Sequence, residues 1–168
     1  QGSHVALFAY YALLNLGIFG IAWFKSWRVL NWLGFVFTFV IALWWGSRYY
    51  TPAHFATTEP FLVLFVLFYV AITVLFATRQ PPRLRGIVDA SLVFGVPVVA
   101  FALQSRMLRD SDFGLAYSSL AAGIFYLGLA AILRTRRGGE LRLLAEAFLA
   151  LGTVFMTITL PLALDGHW

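Results

Sequence analysis

Apolar residues run through this chain in six unbroken blocks of about 17–24, separated by short charged stretches. About 20 such residues, at 1.5 Å each, reach across the roughly 30 Å of hydrocarbon in a bilayer. Within hydrocarbon only helices and closed barrels satisfy their own backbone hydrogen bonds. Barrel strands alternate apolar with polar residues, and these blocks do not. The expectation is an all-α membrane protein whose six transmembrane helices cover Val5–Phe24, Val29–Trp45, Pro60–Ala77, Ile87–Gln104, Gly114–Leu133 and Leu141–Leu164. Composition agrees, since 61% of the 168 residues are hydrophobic and 11% charged, against about 45–50% and about 25% in soluble domains. A water-soluble monomer is excluded. The absence of cysteine excludes disulfides, thiolate metal sites and cysteine catalysis.

The charges orient the spans. Lys25, Arg28, Arg79, Arg83, Arg85, Arg134, Arg136, Arg137 and Arg142 flank the loops after spans one, three and five, whereas Arg48, Arg106 and Arg109 are the basic residues of the loops after spans two and four. The positive-inside rule puts the first set in the cytoplasm and both termini of a multi-pass protein outside. The net charge of +5 follows from this arrangement. Arginines held in tight turns at a membrane do not make a readable nucleic-acid surface, so membrane lipids and further membrane helices are the expected partners. Trp23, Trp27 and Trp32 at one boundary, and Trp44, Trp45, Tyr49 and Tyr50 at the other, read as interfacial aromatic belts. Residues 1–4, Gln-Gly-Ser-His, read as an expression-tag remnant, and the close-cut ends as those of a fragment from a longer membrane protein.

The chain also repeats. A shift of 58 sets Tyr10-Tyr11 on Phe68-Tyr69, Lys25 on Arg83, Asn31 on Asp89 and Ser47-Arg48 on Ser105-Arg106. A shift of 57 sets Phe68-Tyr69 on Phe125-Tyr126, Thr78-Arg79 on Thr135-Arg136, Asp89-Ala90 on Glu146-Ala147 and Gly95 on Gly152. Three tandem helical hairpins are expected, roughly 5–58, 59–115 and 116–168, each burying a face against its neighbours.

The repeat equates Asn31, Asp89 and Glu146, each about one turn inside the cytoplasmic boundary. Ionisable groups within spans are costly and mark functional sites, so these three form a candidate intramembrane polar site. Arg85–Asp89 and Arg142–Glu146 are also i,i+4 pairs that would be stabilised locally near a helix N-terminus. Asn15 and Gln104 are intramembrane amides suited to hydrogen bonds between helices. Gly95 beside Pro97 makes a candidate hinge, because proline withholds an amide donor. Gly114, Ser118 and Ala122 form a small-residue stripe for helix packing. Thr58-Glu59-Pro60 reads as a helix start, and Asp110 and Asp112 as caps to span five. No nucleophile elbow, zinc-protease helix or phosphate loop is present, so no catalytic residue, metal ligand or cofactor is assigned.

Four strings carry a resemblance: Phe55-Ala56-Thr57-Thr58-Glu59-Pro60-Phe61, Leu92-Val93-Phe94-Gly95-Val96-Pro97, Leu144-Ala145-Glu146-Ala147-Phe148-Leu149-Ala150-Leu151-Gly152 and Pro161-Leu162-Ala163-Leu164-Asp165. With them the chain resembles a family of large bacterial multi-spanning membrane proteins that carry domain of unknown function 2339. The resemblance implies a bacterial inner (cytoplasmic) membrane, where both outside termini would be periplasmic, and more spans than this chain holds, and it brings no activity with it. Three functions are then open. The first is a non-enzymatic helical-repeat module, serving as scaffold or envelope-assembly component. The second is part of a transporter or channel with Asn31, Asp89 and Glu146 lining a polar path. The third is an intramembrane enzyme acting on a lipid or glycan-lipid, with Asp89 or Glu146 as general acid or base. The orientation has a direct check. A cysteine introduced into the Arg79–Arg85 turn should resist a membrane-impermeant maleimide added outside, and labelling there would invert the map.

Overall fold

With no water to pair with, each span closes its backbone bonds internally, and every described regular element is helical. The computed structural model describes residues 3–24, 28–79, 90–135 and 141–164. Helix α1 is His4–Phe24, α2 is Arg28–Tyr49 and α3 is Phe55–Arg79, the last preceded by a 3₁₀ turn at Pro52–His54. Helix α4, Ser91–Met107, is shorter and opens with a π-helical segment at Ser91–Gly95. Helices α5 and α6 are Gly114–Thr135 and Arg142–Leu164. Five of these are long and apolar enough to cross a membrane, and α4 is a shorter apolar helix of about 25 Å. The first three residues expected in the fourth span, 87–89, lie outside the described residues. Large apolar side chains point outward all along the bundle, with Leu13 and Leu160 each 69% exposed, as lipid-facing positions require.

Two cores lie side by side and share α3 and α4. Phe8, Phe35, Phe39, Phe65, Tyr69, Ile72 and Val96 form the first, with Phe35 edge-on to Tyr69 at 5.8 Å and Phe8 edge-on to Trp45 at 5.0 Å. Trp45 is thus buried at its end of the bundle, while Trp44 and Tyr49 beside it are exposed. Val70, Ala77, Val93, Tyr126, Leu144, Phe148 and Phe155 form the second core. Helix α1 packs chiefly on α3, whereas α5 and α6 pack on each other along their length.

Small residues let α5 and α6 approach. A Cβ on Gly123 would lie 2.7 Å from the Met156 sulfur, and one on Gly152 would lie 2.9 Å from the Leu127 backbone nitrogen. The buried Ser119 hydroxyl donates to the Phe155 carbonyl at 2.8 Å across the same seam. The closest contact thus runs through Ser119, Gly123 and Gly152, while Ser118 and Ala122 of the expected stripe line a neighbouring cleft. Gly114 serves a turn instead: its Cβ would sit 2.6 Å from the Ser111 hydroxyl.

Two helix ends differ from expectation. Helix α3 starts at Phe55, so Pro60 sits inside it and Thr58 is not its cap. The upstream 3₁₀ turn, fixed by Pro52, leads into an α-helix that starts five residues before Pro60. At α5 the Ser111 hydroxyl accepts the Gly114 amide at 3.2 Å, the role expected of Asp110 or Asp112, both of which are exposed. Between α2 and α3 the Tyr50 phenol donates to the Met107 carbonyl at 3.1 Å. Burial, then the Asp110 and Glu59 carboxylates, hold that phenol's pKa above its ordinary value and keep it a donor.

Gly152→Ala should lower stability by about 1–3 kcal/mol through forced separation of α5 and α6. Gly128→Ala, whose Cβ meets nothing within 4 Å, should not lower it. Thermal unfolding of both variants in the same detergent checks the contrast.

Candidate functional site

Polar side chains inside the bundle gather in two places. The first joins α1, α2 and α3. Asn15, Thr38 and Tyr69 are all buried. The Asn15 amide nitrogen donates to the Tyr11 carbonyl at 2.9 Å and to the Thr38 hydroxyl at 3.0 Å. The Tyr69 hydroxyl donates to the Asn15 amide oxygen and lies 3.3 Å from the Thr38 hydroxyl. A Cβ on Gly34 would come within 2.9 Å of the Tyr69 hydroxyl, so glycine makes room for it. Every member has a partner, and the cluster is a closed junction.

The second place is open. A cleft of about 320 Å³ lies between α3, α4 and the α5–α6 pair. Leu62, Val66, Ala100, Phe101, Ala122 and Phe125 are among its mostly apolar walls. At one end the Gln104 amide nitrogen donates to Glu59 Oε1 at 3.0 Å and to the Ser118 hydroxyl at 3.2 Å, so α3, α4 and α5 each supply one polar group. Tyr126 lines the deeper part, its ring stacked on Phe155 at 6.0 Å and 8°. The Tyr126 hydroxyl is buried without a hydrogen-bond partner among the described residues. The sequence singled out Gln104 as an amide that would bond between helices, and it does; Glu59 and Ser118, read as a helix start and a packing residue, are its partners.

The candidate hinge residues lie beside this cleft. Pro97 lines it, and the π segment ends at Gly95, two residues before the proline. Pro97 has no N–H to offer the Val93 carbonyl, and π-helical turns, rare in helices, are common at functional sites. A Cβ on Gly95 would lie 3.3 Å from the Phe35 ring, so this residue also keeps α4 close to α2.

Of the three positions read as one polar site, Asn31 and Glu146 are described, and their settings differ. Asn31 is enclosed in the bundle, with its amide nitrogen unpartnered among the described residues. Glu146 lies on the exposed outer face of α6 and pairs with Arg142 at 2.8 Å, so it does not share a space with Asn31. Asp89 is outside the described residues. His4 opens α1, lies 2.8 Å from the Thr57 hydroxyl and packs its ring 4.5 Å from that of His54. No three His, Asp or Glu side chains among the described residues converge as a metal site.

A bundle of this length, with its apolar exterior and a family match over residues 1–168, settles the kinship. The chain belongs to the family described as Predicted membrane protein (DUF2339). The match includes residues 1–4 and both cores. No curated protein and no solved structure matches the chain.

Removing one member of the closed junction should expose its weight. Tyr69→Phe deletes a hydroxyl bonded to two side chains and should cost about 0.6–1.7 kcal/mol, the span found for hydrogen bonds between membrane helices. Tyr126→Phe, which removes a hydroxyl without a partner, should leave thermal stability unchanged or raised in the same assay.

Proposed function

We propose that the chain is a non-enzymatic transmembrane module of a bacterial inner-membrane protein, built of three kindred hairpins with both termini periplasmic. In this reading it serves as a scaffold on which further spans of the parent protein, or other membrane subunits, assemble. The observation that carries it is the Asn15–Thr38–Tyr69 junction: one polar side chain from each of the first three spans spends its hydrogen bonds on the other two. Groups used in this way hold helices in register and handle no cargo. Glu146 fits the same reading, since an exposed i,i+4 pair at a helix start is worth only a few tenths of a kcal/mol, roughly 0.3–0.5, and serves local helix stability. The extensive outward-facing apolar surface offers room for both lipid and neighbouring helices.

One observation favours a second reading, a transporter or channel part with a polar site at the inner leaflet. The buried Asn31 amide nitrogen lacks a partner among the described residues, and such groups are costly unless they serve a ligand or water. Complementation separates the two. In a host strain lacking the gene, full-length protein carrying Asp89→Ala, Glu146→Ala or Asn31→Ala should restore the wild-type phenotype if the module is a scaffold. Loss of complementation at unchanged protein level and thermal stability would overturn the scaffold and favour the polar path.

A further inference from the structure

We propose that the cleft between α3, α4 and α5 is a lateral lipid site, taking one alkyl chain of a phospholipid whose ammonium headgroup rests on Glu59. The inference stands on the membrane setting and goes beyond the scaffold role.

Size selects the chain. Along α3 the cleft runs from Glu59 to Leu67, a rise of about 12 Å, close to the roughly 15 Å depth of one leaflet's hydrocarbon. Its rim is half-exposed at Val63 and Leu67, so it opens sideways, where lipid is the solvent. A single flexible hydrocarbon chain can lie along a slot of this length that opens sideways. The small side chains of Ala100, Ala121 and Ala122 leave it room.

Charge selects the headgroup. Glu59 accepts one hydrogen bond, from Gln104, and no Lys or Arg among the described residues lies within ion-pair distance of it. A carboxylate at the end of an apolar slot, with one oxygen held and the other free, is complementary to a cationic donor. An ammonium fills that role and a second anion would be repelled.

The repeat accounts for the opening. Shifted by 58, the Asn15 and Thr38 that receive the Tyr69 hydroxyl become Thr73 and Val96. Tyr126, the counterpart of Tyr69 under the shift of 57, has a hydroxyl without a partner among the described residues. The joint sealed by hydrogen bonds in the first core is unsealed beside the second.

Native mass spectrometry of the full chain released from detergent tests the proposal, with phosphatidylethanolamine and phosphatidylglycerol of identical acyl chains as probes. Both carry the same phosphate, so the comparison isolates the ammonium. The wild type should retain the ethanolamine lipid over the glycerol lipid by about five-fold. Glu59→Gln should abolish that preference while leaving chain binding intact. Val63→Trp, at an exposed rim position away from both cores, should reduce retention of both lipids while thermal stability stays unchanged. Equal retention of the two lipids by the wild type would overturn the headgroup assignment, as would a preference that survives Glu59→Gln. Undiminished retention by a folded Val63→Trp would overturn the site itself, and none of these results bears on the complementation by Glu146→Ala.

Discussion

Hydrocarbon offers no hydrogen bonds, and the arrangement of this protein follows from where its polar groups find partners instead. Backbone groups are satisfied by coiling, which fixes the helices. Side chains must then be satisfied between helices or kept near an end, because an unmet polar group in a low-dielectric interior costs more than a met one gains. Asn15, Thr38 and Tyr69 meet this demand among themselves and so tie α1, α2 and α3 at a single level. Glu146 meets it by sitting on the outer face beside Arg142.

Association without a hydrophobic driving force must come from close packing, and the two halves achieve it differently. Aromatic rings fill the first core, interlocking Phe35, Phe39 and Tyr69. The α5–α6 pair relies on absent side chains, with Gly123 and Gly152 each lying against a neighbour too near to admit a methyl group. This hairpin packs far more on itself than on the rest of the bundle. A gap beside α3 and α4 is the geometric result.

The sequence carried the helices more clearly than their contacts. Length and hydropathy locate the spans to within a few residues, because membrane thickness leaves little freedom. Thr58-Glu59-Pro60 has the chemistry of a helix start, yet α3 begins at Phe55, directly behind the turn that Pro52 fixes. The close seam of α5 and α6 lies one position along from the Gly114, Ser118, Ala122 stripe, since both rows of small residues share the spacing of four. Spacing alone does not say which row a partner helix meets. Asn15 and Gln104 were legible as polar residues out of place, but their partners come from helices distant in sequence. Glu59 and Ser118 converge on Gln104 only once three helices are assembled.

The π turn at Ser91–Gly95 has a geometric outcome of its own. Such a turn accommodates one extra residue in the coil, and each residue advances an α-helix by about 100°. Everything after Gly95 is therefore phase-shifted by about a quarter revolution relative to an uninterrupted rod. Gln104, about two and a half turns beyond that irregular turn, faces Glu59 and Ser118 with the offset included.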